Sequence, residues 1–210
     1  MKKFWLILGL VLMPTLAAAD IDKKIDTPAN RAILGQVEKA YNNMHTLKAK
    51  FAQFNSKVKN DLQTGDIYLS KPGRMRLVYE KGSPLEFYAN NGYFIYHDKD
   101  LKEVSYFELS QTPVELILKE KLTFTDPEFV VTDVQDVLDE YLVTAHKKGA
   151  KELGSITLVI DKDKMELKQW EVLDMQGIKS TVSLYGIEPN APVDNRLFAF
   201  KNPYKNKEGK

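Results

Sequence analysis

Residues 65–98 read GDIYLSKPGRMRLVYEKGSPLEFYANNGYFIYHD. Apolar and polar side chains alternate here with the period of a sheet. Ile67 and Leu69 share a face with Lys71, while Asp66, Tyr68 and Ser70 take the other. After Pro72-Gly73 the alternation resumes, with Met75, Leu77 and Tyr79 opposite Arg74 and Arg76. Asn91-Gly92 takes positive φ at little cost, so it predicts the tight turn of a hairpin with arms 85–90 and 93–97. Three or four strands thus follow one another with no helix between them. A parallel pair needs a crossover of about a dozen residues, so these strands are antiparallel.

On the N-terminal side, Pro28 opens a helix over 28–44 in which Ile33, Val37, Ala40, Tyr41 and Met44 form one apolar stripe. A strand follows, with Leu47, Ala49, Phe51 and Gln53 alternating against Lys48, Lys50 and Ala52, and 60–63 make a turn. Gln53 faces the apolar side, and a buried amide needs a hydrogen-bond partner. On the C-terminal side, a turn at 98–100 leads to a strand over 101–108. Thr112-Pro113-Val114-Glu115 then reads as a capping box starting a helix over 113–119, which carries Leu116, Ile117 and Leu118.

Strand patterns return at 129–134, 141–145, 156–160, 167–173, 178–186 and 197–200, divided by polar turns such as Asp161-Lys162-Asp163-Lys164 and Met175-Gln176-Gly177. The economical architecture is mainly β (α+β): an incompletely closed antiparallel β-barrel of about 11 strands, with helices covering one end as a lid. Closure removes sheet edges, and the interior can hold a ligand. In a sandwich the inward apolar side chains would fill a core; in a half-open barrel they line a cavity. Met44, Met75, Met165 and Met175 suit such a cavity, since a flexible thioether adapts to ligands of different shape. Arg76 and Ser70 are expected on the outward face.

The first nineteen residues carry Lys2 and Lys3, an apolar run over 4–16, and Ala17-Ala18-Ala19 before Asp20, the order of a cleaved secretory leader. One domain is expected over 20–210. Removing Lys2 and Lys3 takes the formal charge from +1 to about −1, which leaves no electrostatic case for nucleic acid. The chain has no cysteine, which excludes disulfides, a thiol nucleophile and self-lipidation. His45, His97 and His146 fall on separate elements without metal-ligand spacing, so neither a metal nor another cofactor is expected. No phosphate-binding loop, dinucleotide fingerprint or nucleophile elbow occurs. His97 and Asp98 are adjacent on a strand and so point to opposite faces. The chain reads as a non-enzyme.

An extended strand with F-x-Q (Phe51, Gln53), then Gly65, then KPGRMRLVY over 71–79, then NGYFIYHD over 91–98, resembles the LolA family of periplasmic carriers of outer-membrane lipoproteins. The resemblance runs over about 31–204, and Lys71 stands where the family has an arginine before the proline. It implies a monomer in the periplasm that takes acylated lipoproteins from an inner-membrane ABC transporter and passes them to an outer-membrane lipoprotein acceptor. It further implies that Phe51, Ile67, Leu69, Lys71, Met75, Leu77, Tyr79, Ile117 and Leu118 line the cavity and lid, with Lys71 holding the lid closed by bonding its backbone. Two other readings are a lipid- or lipoprotein-sensing regulatory protein and a periplasmic lipid hydrolase.

Overall fold

The computed structural model describes residues 25–57, 62–125 and 128–205. The expected leader over 1–19 and part of the turn over 60–63 lie outside these. Helix α1 (Pro28–Asn42) comes first, followed by strands β1 (Thr46–Asn55), β2 (Leu62–Ser70), β3 (Arg74–Tyr79), β4 (Leu85–Asn90), β5 (Tyr93–Asp98) and β6 (Glu103–Glu108). A short helix α2 (Glu115–Leu118) precedes β7 (Phe129–Val137), β8 (Glu140–Lys147), β9 (Gly154–Asp161), β10 (Glu166–Asp174) and β11 (Lys179–Pro189). All eleven strands form one antiparallel sheet in the order β6-β5-β4-β3-β2-β1-β11-β10-β9-β8-β7. The sheet is not closed: among the described residues, β6 and β7 end the order, and each has one edge without a strand partner. This is the expected incomplete barrel.

Alternation places one face of the sheet in the core. Leu47, Ala49 and Phe51 of β1, Ile67 and Leu69 of β2, and Met75, Leu77 and Tyr79 of β3 are all buried. Helix α1 starts with the Thr27 hydroxyl accepting from the Asn30 amide at 3.2 Å, and Pro28 fits its first turn. Its buried side chains Ile33, Leu34, Val37 and Tyr41 lie against β7, β8 and β10. Register shifts in the β1–β11, β9–β10 and β7–β8 pairs mark bulges, which bend and twist a strand. The sheet therefore curls around a single core that reaches both halves and both helices.

Gly65 sits in β2 where the neighbouring strands leave no room for a side chain. It pairs with Phe51 on one side and Tyr79 on the other. A Cβ there would lie 2.1 Å from the Val78 carbonyl oxygen and 2.9 Å from the Phe51 ring. Without it, the Phe51 and Tyr79 rings meet edge to face over the glycine, with centroids 5.1 Å apart.

Two local expectations are corrected. Residues 197–200 are not a strand: Asn195–Phe198 form a turn of 3-10 helix, capped by the Asp194 side chain, against the outer side of β3 and β4. Phe198 is fully buried there, Arg76 donates to the Leu197 carbonyl and Asn90 to the Phe198 carbonyl, each at 3.1 Å. A four-residue alternation cannot by itself choose between a ladder and a wedge, and here the tertiary pocket decides. Ser70 is buried, and Arg76 is half-buried with its guanidinium on the Leu197 carbonyl, so neither stands on an open outward surface.

The capping box does not form either. The Thr112 hydroxyl donates to Leu109 at 2.9 Å in the preceding turn, and Glu115 pairs with Lys147 of β8 at 3.1 Å. Val114 starts α2 without a side-chain cap, and only four residues are helical. Both capping groups have found other partners.

Candidate functional site

The concave face of the sheet holds a cavity of about 330 Å³ lined by Met75, Leu77, Tyr79, Phe87, Phe94, Val114, Trp170 and Val182, with polar groups at Gln53, Asn55, Asp174 and Ser180. The apolar walls come from strands at distant points of the chain, β3, β4 and β5 on one side and β10 and β11 on the other. The polar groups are accounted for in part. Tyr79 donates its phenol proton to Gln53 at 2.6 Å, which supplies the partner its amide required. Asp174 accepts the amides of Gln176 and Ile178 at 2.8 and 2.9 Å, shaping the turn between β10 and β11.

The opposite end of β1 is capped by a lid. Lys71, which follows β2, is only 8% exposed. Its ammonium donates to the Tyr41 carbonyl oxygen at 2.8 Å and sits 3.7 Å from the centre of the Tyr41 ring. That carbonyl lies at the C-terminal end of α1, where the negative end of the helix dipole attracts a cation. Burial pushes the Lys71 amine down to about 8, while the Glu120 carboxylate pulls it upward.

Tyr41 carries the connection onward. Its hydroxyl lies 2.6 Å from the Ile117 carbonyl oxygen, 2.8 Å from that of Lys119 and 3.3 Å from that of Leu116. One proton serves one of these at a time, and burial pushes the phenol upward, so the hydroxyl stays a donor. Asn42 both donates to and accepts from the backbone of Leu122 at 2.8 Å, and Glu38 accepts the Phe124 amide at 2.5 Å. Helix α1 and residues 115–124 are thereby tied into one lid. The lid is fixed to the sheet at Lys71 and at Gly73, whose amide donates to the Leu118 carbonyl at 2.8 Å. Lys71 therefore reaches the α1 backbone directly and α2 only through Tyr41.

Of the residues singled out by sequence, Met75, Leu77 and Tyr79 line the cavity, Phe51, Ile67 and Leu69 are buried in the sheet face beside it, and Ile117 and Leu118 are buried in the lid. Met44 is buried at the lid end, and Met165 is partly buried beside α1 with Ala40 and Asn43. Met175 is 70% exposed at the β10–β11 turn. Tyr41, Trp170, Phe87 and Phe94 were not singled out. The signal for Tyr41 was present, since a tyrosine on a buried helical stripe needs a partner for its hydroxyl. Among the described residues no three metal-ligating side chains converge.

The site is an apolar cavity on the concave face of a curled antiparallel sheet, with a helical lid pinned over the other end. Residues 42–201 match the family described as outer membrane lipoprotein carrier protein LolA, and the chain belongs to that family. No curated protein matches the sequence. Among solved structures it is similar to a LolA superfamily protein from Nitrosomonas europaea, at 8% identity over 81% of this chain and 97% of that one, with a TM-score of 0.48. A DUF1329 family protein from Desulfovibrio piger aligns at 8% identity over 82% and 98%, with a TM-score of 0.49. The Pseudomonas aeruginosa MucA/MucB complex aligns at 13% identity over 83% of this chain and 62% of that one, with a TM-score of 0.43.

Proposed function

We propose that this chain is a periplasmic carrier that holds the acyl chains of lipoproteins in its concave face. It takes them from an inner-membrane ABC transporter and passes them to an outer-membrane acceptor. On this reading 1–19 are a cleaved leader, and 20–210 act as one carrier domain that works as a monomer. The observation that supports it most is an apolar cavity on the concave face of a sheet whose other end carries a helical lid, pinned through hydrogen bonds to backbone and packed on the same core. The residues that meet the acyl chains are then Phe51, Ile67, Leu69, Met75, Leu77, Tyr79, Ile117 and Leu118, with Lys71 as the latch.

Energetics favour a carrier that opens. Burying acyl chains is worth roughly 0.8 kcal/mol per methylene, so three long chains fully buried would exceed the practical affinity ceiling of about 18–21 kcal/mol. A cavity of about 330 Å³ is at the small end for ligand sites, so filling it means widening it. Breaking the latch and spreading the lid lower the net affinity to a value intermediate between donor and acceptor. No energy source within the chain is required, since a ligand shifts the closed–open equilibrium by its differential affinity alone.

The test is to incubate the purified chain with inner-membrane vesicles bearing a triacylated lipoprotein and the transporter. A soluble equimolar complex, with intact acyl chains by thin-layer analysis, is the expected result. Lipoprotein left wholly in the membrane would refute carriage, and released fatty acid would indicate a hydrolase.

A further inference from the structure

An uninterrupted file of aromatic rings crosses the concave face. It starts at Phe51 on β1, passes over Gly65 to Tyr79 on β3, and continues to Phe87 on β4, with Tyr79 and Phe87 centroids 5.7 Å apart. From Phe87 it reaches Phe94 at 5.6 Å and Tyr96 at 5.1 Å, both on β5. Phe94 pairs directly with Phe107 of β6, and paired residues share a face, so Phe107 stands on the concave side at the free edge. Burial falls steadily along this line. Phe51 is 2% exposed, Phe87 and Phe94 are half-buried, and Phe107 is 51% exposed.

A single exposed phenylalanine needs no explanation. This one extends, as the ladder partner of Phe94, a file of ring contacts whose members Tyr79, Phe87 and Phe94 line the cavity. The polar atoms along the file are turned aside: the Tyr79 hydroxyl serves Gln53, and the Tyr96 hydroxyl serves Asp98 at 3.3 Å. What remains is ring surface, which has no directional demand and suits a flexible methylene chain. At the lid end, by contrast, Leu116, Ile117, Leu118, Leu122 and Phe124 are buried, and Tyr41, Asn42 and Glu38 hold their backbone. Entry there requires the whole network to break before any apolar contact is gained.

We propose that an acyl chain enters the cavity sideways over the free edge of β6, along the aromatic file that begins at Phe107. The proposal rests on the carrier reading and adds its route. Phe107 is then the threshold, met on the way in and on the way out, while the settled chain lies deeper, against Phe87, Leu77 and Trp170. A charge at the threshold obstructs passage in both directions, because an acyl chain gains nothing from a hydrated carboxylate and strips part of its water in passing.

The experiment compares stopped-flow uptake of a fluorescent long-chain fatty acid by the parent chain, Phe107→Asp and Tyr106→Asp. Tyr106 lies next to Phe107 on the same strand but faces outward, so it controls for charge and for edge disturbance. Circular dichroism and thermal melting confirm that each variant is folded. Association and dissociation should both slow by about tenfold or more in Phe107→Asp, with the equilibrium constant changed far less, and Tyr106→Asp should match the parent. Phe107→Leu, apolar and uncharged, should restore uptake. Parent-like association in a folded Phe107→Asp, or equal slowing in Tyr106→Asp, overturns the route while leaving carriage intact. A parent chain that takes up no fatty acid and extracts no lipoprotein overturns the carrier reading itself.

Discussion

Lys71 places an ammonium under the end of α1, and both its reach and its charge have measurable consequences. Charge-assisted hydrogen bonds contribute about 1.5–3 kcal/mol, so Lys71→Leu should shift the empty protein toward an open lid by about that much. Because the open form has the wider cavity and holds ligand better, acyl affinity should rise about tenfold or more, and release to acceptor membranes should slow in proportion. Lys71→Arg keeps the charge and should release at least as well as the parent, provided the guanidinium finds the Tyr41 carbonyl. Unchanged release from Lys71→Leu would make Lys71 a packing residue only.

The same amine has a pH signature. Its folded value of about 8 lies below the ordinary 10.5, so between these limits the unfolded chain binds the additional proton. Stability therefore rises with pH across that window, and the cost of burying the charge, about 3 kcal/mol, is fully present below pH 8. Urea midpoints at pH 7.5 and 10 should diverge between the parent and Lys71→Leu, with the variant lacking this rise. Parallel pH profiles would show that Lys71 is not desolvated.

At the scale of elements, the lid is a joint product of α1 and residues 115–124, and Tyr41 is the hinge between them. Tyr41→Phe keeps the ring over Lys71 and removes only the hydroxyl that reaches the α2 carbonyls. A loss of about 1–2 kcal/mol is expected, with amides 116–124 exchanging hydrogen faster than those of β1 and β2. Uniform acceleration across the sheet would mean that the lid does not open as a unit.

The β7–β8 hairpin offers a simpler test. Leu138 has φ +42° and is 90% exposed, a backbone state that asparagine tolerates better than leucine. Leu138→Asn should raise stability by about 0.5–1 kcal/mol, read as a higher melting temperature. A lower one would reveal a contact made by the leucine.

At the scale of the whole molecule, the sheet joins at its centre, where β1 pairs with both β2 and β11, and opens at its two ends. Its concave face serves as core and as cavity at once. Leu77 shows the overlap: it is buried and also lines the cavity. Leu77→Asp places an unpaired carboxylate there and should abolish acyl uptake while costing a few kcal/mol of stability. Leu77→Met, which keeps volume and polarity, should retain both. Uptake by a folded Leu77→Asp at the parent level would move the acyl site elsewhere.

What the sequence determined by itself is what has a short period. Alternation over 65–98 specified the strands, their antiparallel order and the inward face of Ile67, Leu69, Met75 and Leu77, because successive strand residues point to opposite sides whatever lies beyond them. Asn91 and Gly92 specified a turn because both accept positive φ, and both adopt it. Lys71 was legible as an inward cation at a strand end for the same reason. Tertiary structure alone decided the rest. Phe198 and the turn around it became a wedge on the outer face of β3 and β4 through contacts with residues about a hundred positions earlier, which no local pattern records. Glu115 and Thr112 gave up their cap for partners of which one, Lys147, is brought close only by folding. Tyr41 became the hinge, Met175 was left in solvent, and Phe107 was left at an open edge. Each outcome depends on which distant surface arrives, and chain entropy rather than local propensity is what such contacts must overcome.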